Sequence, residues 1–211
     1  MADEAFDLSR LNGSDGFIIN GTNPFDALGA QSLAMGDFDG DGNPDLGIGF
    51  GVYSFYPSGV YVFWGGNQTY PMLINVSTLD SNLGVTFYGT VNGLTASTII
   101  FTDLNADGYD DLVISQDNAN SRIYIVFGRP GPWQASPYHL DYLNGRNGSS
   151  LIAVPRMGRY LTSARDVDGD GINDLVFTRL GYFDGSDTGG ITVYYGHAGE
   201  WLNEYNVTQL N

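Results

Sequence analysis

The chain has no cysteine. Disulfides, zinc–thiolate sites and cysteine nucleophiles are excluded at once. The compartment stays open, because secreted proteins need not carry disulfides. Basic residues are scarce: eight Lys and Arg stand against 24 Asp and Glu, a formal charge of −16. Nucleic-acid binding rests on neutralising phosphates with Lys and Arg, so the balance argues against it. It argues equally against electrostatic docking onto anionic lipid. No apolar run reaches the roughly 18 residues of a membrane helix, so no membrane insertion is expected. The opening "MADEAFDLSRLNG" is acidic and lacks the apolar stretch of a secretory signal. Apolar residues do not recur with the 3.6-residue period of a helix.

What is present is aromatic, glycine-rich and repetitive. The 211 residues are 42% hydrophobic and 14% aromatic, with 30 glycines. That composition predicts a packed core with many turns rather than disorder. Three acidic stretches recur in phase: "DFDGDGNPDLGIG" from Asp37, "DLNADGYDDLVIS" from Asp103 and "DVDGDGINDLVFT" from Asp166, spaced by 66 and then 63 residues. An apolar run keeps the same beat, as "GVYVFWGG" before Gly65, "RIYIVFGR" before Gly128 and "GITVYYGH" before Gly196. A third element, "FDLSRLNGSDGFII", is echoed by "LINVSTLDSNLGVTF", "HLDYLNGRNGSSLI" and the closing "YNVTQLN". The chain reads as one repeat domain, residues 1–211, with approximate repeats 6–70, 71–136 and 137–203, and 204–211 opening a fourth.

Each unit is β throughout. "VYVFW", "IYIVF" and "ITVYY" are short, β-branched and aromatic, and each is closed by glycine. "DLGIGF", "DLVIS" and "DLVFT" follow the acidic loops directly. The expectation is an all-β fold of about three four-stranded units, the size of propeller blades.

The acidic loops carry the chemistry. Counting from the first aspartate, position 1 is Asp37, Asp103 and Asp166, and position 3 is Asp39, Asn105 and Asp168. Position 5 is Asp41, Asp107 and Asp170, position 6 is glycine, and position 9 is Asp45, Asp111 and Asp174. Alternate side chains converge on one point if the backbone curls round it, and glycine at 6 permits the sharp turn. The carbonyl at position 7 (Asn43, Tyr109, Ile172) can then face inward. These are hard oxygen ligands of the number and flexibility that Ca²⁺ accepts, so about three Ca²⁺ ions are expected, one per loop. The bland alternative is a solvated Asp-Gly turn, but three copies in phase argue against it. Identity relaxes at position 8 (Pro44, Asp110, Asn173), where no ligand is expected. An EF-hand needs Glu at position 12 on a helix, whereas position 12 is Ile48, Ile114 and Phe177, inside expected strands.

An Asp-x-Asp-x-Asp-Gly-x-x-Asp loop between strands, repeated at about 60 residues, resembles the FG-GAP repeat of the integrin α-subunit β-propeller and its bacterial relatives. The flanks depart from that pattern. Leu28-Gly29, Leu94-Thr95 and Met157-Gly158 stand at the Phe-Gly positions. Gly49-Phe50-Gly51, Ser115-Gln116-Asp117 and Thr178-Arg179-Leu180 stand at Gly-Ala-Pro. The resemblance implies blades of FG-GAP type in which Ca²⁺ rigidifies a hairpin. It implies no integrin ligand, since there is no Arg-Gly-Asp and no inserted adhesion domain. Such propellers close with seven blades, so a partial or assembled propeller is expected. Further blades would come from a longer chain, a homo-oligomer or another subunit.

The functional expectation is a non-catalytic, calcium-binding module for cell adhesion or protein–protein recognition, meeting a protein or glycan ligand at a blade surface. Its expected location is extracellular or at the cell surface, where millimolar Ca²⁺ fills even weak sites. Two other readings stay open. Trp64, Trp133, Trp201 and Tyr109 lie near turns, where a lectin would stack sugars. An accessory domain of a secreted hydrolase is the third. No catalytic residue is expected, because His139 and His197 lie beside no nucleophile motif. Asn-x-Ser/Thr sequons fall at Asn12, Asn20, Asn67, Asn75, Asn147 and Asn206.

Overall fold

A computed structural model describes residues 8–22, 27–51, 58–66, 68–89, 95–116, 121–133, 137–152, 157–179 and 189–207. Asn67, Leu94, Asp117, Leu180, residues 1–7 and the last four residues of "YNVTQLN" lie outside them. The described chain is all-β and propeller-like, with short 3₁₀ turns at Leu8–Arg10, Val76–Thr78 and Leu140–Tyr142 and no α-helix. No helix among the described residues is long and apolar enough to cross a membrane.

In chain order, β1 (Ile18–Asn20) precedes a first sheet of β2 (Leu33–Gly36), β3 (Asp45–Phe50), β4 (Gly59–Phe63) and β6 (Gly84–Tyr88). β5 (Leu73–Asn75) lies between β4 and β6 in the chain but pairs in parallel with β1. The second sheet repeats the plan with β7 (Thr95–Thr102), β8 (Asp111–Gln116), β9 (Arg122–Val126) and β11 (Gly148–Ile152). The third holds β12 (Met157–Arg165), β13 (Asp174–Arg179) and β14 (Gly190–Tyr194). Two short strands, β10 (Tyr138–His139) and β15 (Glu204–Asn206), add in parallel to β6 and β11. The expected strands at "VYVFW", "IYIVF", "ITVYY" and after each acidic loop are all present. The described strands form no closed ring.

The apolar runs are nearly continuous because the sheets are stacked and buried on both faces. Val60 and Val62 of β4 face the second sheet, sharing a cluster with Leu112, Ile114, Tyr124 and Val126. Ile123 and Ile125 of β9 face the third, with Leu161, Leu175 and Phe177. Tyr61 and Phe63 face the other way, packing with Ile48, Phe50, Ile74 and Val76. The glycines of "LGIG" mark close approach: a Cβ on Gly47 would stand 2.9 Å from the ring of Phe101, which the second blade presses against the first.

Candidate metal centres

Each acidic loop is built by the same ladder of aspartate-to-backbone hydrogen bonds. In loop 1, Gly42 N–H donates to Asp37 Oδ2 (3.0 Å), Asp41 N–H to Asp39 Oδ1 (3.1 Å), and Asn43 N–H to Asp41 Oδ1 (2.7 Å). Loop 2 repeats it: Gly108 to Asp103, Asp107 to Asn105 Oδ1, and Tyr109 to Asp107. Loop 3 does so with Gly171 to Asp166, Asp170 to Asp168, and Ile172 to Asp170. The position-6 glycines have φ of +87°, +89° and +92°, the left-handed turn that only glycine adopts without strain.

This wrapping gathers carboxylates. Oxygens of Asp37, Asp39 and Asp45 lie within 4.8 Å of one another, and so do those of Asp166, Asp168 and Asp174. Loop 2 gathers no such trio of acids, since position 3 is Asn105. The position-5 residues Asp41 and Asp170 stand outside these groups. Asn43, Tyr109 and Ile172 enter the ladder through their N–H groups, donating to position 5.

Position 9 does more than close a shell. Asp45, Asp111 and Asp174 are wholly buried. One oxygen of each accepts the N–H of position 2: Phe38 (2.9 Å), Leu104 (2.9 Å) and Val167 (2.6 Å). The other accepts the N–H of Gly65 (2.7 Å), Gly128 (3.1 Å) or Gly196 (3.1 Å), just beyond β4, β9 and β14. A Cβ on any of these glycines would run into the backbone carbonyl of position 8. The sequence carried both halves of this staple as separate repeats, but nothing in it joined them.

The electrostatics are those of anions packed without counter-charge. Burial raises the Asp45 carboxyl to about 6, against the pull of the Gly65 N–H. Burial raises Asp111 to about 8, against the N–H groups of Leu104 and Gly128. Asp39 is raised by burial and by Asp41 and Asp37 beside it. No ion pair among the described residues involves a loop aspartate; the one at 2.9 Å joins Arg122 to Glu204. Asp37 Oδ1 and Asp103 Oδ1 are buried with no hydrogen-bond partner. A buried carboxylate oxygen left unpaired is costly, and a cation in the loop is the ligand that matches it. The donor set therefore fits a hard divalent ion in loop 1, and the same orphan atom extends the fit to loop 2.

Sequence reasoning missed three further elements. Position 2 is one: Phe38 and Leu104 are fully buried under the next blade, and their carbonyls accept the N–H of Arg129 and His197, both at 2.9 Å. An aromatic five residues after each staple glycine is the second: Tyr70, Trp133 and Trp201. Trp133 stacks on Phe38 at 4.8 Å between centroids. Position 8 is the third, for Asp110 is not idle. Its Oδ2 accepts the Asp37 N–H (2.9 Å) and its own N–H donates to Asp37 O (3.0 Å), tying loop 2 to loop 1.

The tryptophans offer no platform for sugar. Trp64, Trp133 and Trp201 are 6–7% exposed, and each indole N–H donates to a backbone carbonyl. The ring of Trp201 is stacked on His197 at 4.3 Å. His139 sits between the rings of Tyr88 and Tyr142. An open cleft of about 910 Å³ runs beside loop 2, lined by Asn105, Asp107, Arg129, Arg146 and Glu200 among others.

Stacked sheets, each with an Asp-rich loop between its first two antiparallel strands, define an all-β, propeller-like repeat protein. The chain is 29% identical over 185 residues to integrin alpha-PS2 of Drosophila melanogaster, covering 82% of this chain and 12% of that protein. It thus spans about one eighth of that relative's length, and the likeness points to an integrin-like relationship. No protein-family profile matches the chain.

Proposed function

We propose that this chain is a calcium-stabilised propeller module for protein recognition or cell adhesion, without catalysis of its own, working outside the cell. The observation that carries the reading is the pair of buried, unpartnered oxygens, Asp37 Oδ1 and Asp103 Oδ1, inside loops already rich in carboxylates. Asp37, Asp39 and Asp45 would hold one ion, Asp103, Asn105 and Asp111 a second, and Asp166, Asp168 and Asp174 a third. Asp41, Asp107 and Asp170, with the backbone of Asn43, Tyr109 and Ile172, would complete the shells. A bound Ca²⁺ offsets the carboxylate repulsion and so fixes the hairpins from which a recognition surface is presented. The likeness to an integrin α-subunit supports recognition as the role.

The test is calcium stoichiometry by equilibrium dialysis of the whole chain. About three ions per chain are expected, with one lost in Asp37→Ala. No bound calcium at millimolar concentration would overturn the reading. Titration with simple sugars is expected to leave the fluorescence of the buried tryptophans unchanged, and a saturable change would favour the lectin reading.

A further inference from the structure

The two inner junctions of the stack follow one rule, and the two outer faces are cut to the same rule. β6 lies antiparallel on β4 with Phe63 opposite Gly84 and Tyr61 opposite Thr86. β11 lies on β9 with Val126 opposite Gly148 and Tyr124 opposite Ser150. Among the described residues β14 pairs with β13 alone, leaving its other edge open. β1 has the reverse condition. It pairs in parallel with β5, as β6 does with β10 and β11 with β15, yet has no antiparallel neighbour among the described residues.

β1 is built as a fourth strand. The turn before it repeats the turn before β11: Gly13 N–H donates to Gly16 O as Gly145 N–H does to Gly148 O. Asn12 N–H donates to Asp15 as Asn144 N–H does to Asn147. Gly16 therefore matches Gly148 and Gly84. The parallel register agrees independently, since Ile19, Phe87 and Leu151 face Ile74, Tyr138 and Tyr205. Laid on β14 by the same rule, Gly16 meets Tyr194, Ile18 meets Thr192 and Asn20 meets Gly190.

The faces agree with the edges. Ile191 and Val193 are the counterparts of Val60 and Val62 and of Ile123 and Ile125, all fully buried against a following blade, yet they are 72% and 40% exposed. Leu33 and Met35 of β2 hold the places that Ile99 and Phe101 hold in β7, packed at the first junction, yet they are 61% and 63% exposed. Val167, at position 2 of loop 3, is 55% exposed where Phe38 and Leu104 are buried.

We infer that copies of this chain join head to tail. β1 of one copy adds to β14 of another as the fourth strand of its last sheet, and the Leu33–Met35 face of the first packs on the Ile191–Val193 face of the second. The chain runs from β6 to β7 and from β11 to β12 into the next blade, so seating β1 on β14 brings β2 in as the next blade. A head-to-tail contact closes into a ring or runs on as a filament. The inference stands on strand pairing and apolar packing alone, with or without an ion in the loops. Each copy carries a formal charge of −16, so association strengthens as salt screens that repulsion.

The absence of native cysteine gives a clean test. Ile18→Cys and Thr192→Cys are made in separate chains, mixed in physiological salt and oxidised, since directly opposed strand residues lie within disulfide reach. The expected result is a disulfide joining one variant to the other. The unmodified 22.8 kDa chain is expected to sediment as a dimer or larger. Ile191→Asp, at an exposed site, should keep the monomer's circular dichroism and weaken association at least tenfold by burying a charge. A chain that stays monomeric at tens of micromolar overturns the inference. So does a Gly190→Cys partner that crosslinks Ile18→Cys as well as Thr192→Cys does.

Discussion

Loops 1 and 3 share Asp at positions 1, 3, 5 and 9 but not their surroundings. In loop 1, Asp37 Oδ1 is buried and unpartnered, and Phe38 is sealed beneath Trp133. In loop 3, Asp166 Oδ1 accepts the Gly169 N–H at 2.6 Å, and Val167 is exposed. The local fold is the same, so the difference comes from the blade that covers loop 1. Sequence makes the ligand ladder, and the neighbouring blade makes the dry, orphaned oxygen.

The largest expected effect is at position 9. Asp111→Ala leaves the buried N–H groups of Leu104 and Gly128 without an acceptor, which we predict costs about 3–5 kcal/mol in chelator. Asp174→Ala should cost about 1–3 kcal/mol, because Val167 lies at the surface where water can replace the lost acceptor. Urea unfolding of both variants checks this, and equal costs would erase the contrast between inner and outer loops. Position 2 gives a similar split. Phe38→Ala is predicted to cost about 3–5 kcal/mol as a core truncation. Val167→Ala in the dilute chain should stay within about 0.5 kcal/mol.

Acidity sharpens the comparison next. The Asp45 and Asp111 carboxyls, at about 6 and about 8 in the folded chain, lie above the ordinary 3.8. Between those values the folded state binds more protons than the unfolded one, so stability falls as pH rises from about 4 to 8. In chelator, the melting midpoint should therefore climb by several degrees between pH 8 and pH 5. In saturating Ca²⁺ that gain should vanish or reverse, since protons compete with the ion. A chelated chain that loses stability on acidification contradicts the account. The smallest effect is at loop 2, whose ligand charge is one unit lower and which we expect to be the weakest site. Asn105→Asp should tighten it on the order of tenfold, while destabilising the chelated chain by placing a carboxylate beside Asp107. Calorimetric titration reads the first change and a melt in chelator reads the second.

Much of this was legible in the sequence. The three loops, their glycines and the strands on either side follow from period and residue type. What stayed hidden depends on contacts between blades. Position 8 reads as idle until Asp110 is seen on the Asp37 N–H of the neighbouring loop. Trp133 and Trp201 form a matched pair, each bonded to the backbone four residues earlier, but Trp64 obscured the pattern because it precedes its glycine. Short parallel strands such as β10, two residues long, carry no periodic mark at all.

The most direct measurement is a thermal melt of the whole chain in a hundredfold excess of Ca²⁺ over its dissociation constant, and again in chelator. Each filled site adds about 2.7 kcal/mol, so three sites should add about 8 kcal/mol and raise the midpoint by on the order of 15 °C or more. Identical melts, with no metal retained after dialysis, would mean that the Asp-rich loops are acidic turns and that calcium has no part in holding this fold.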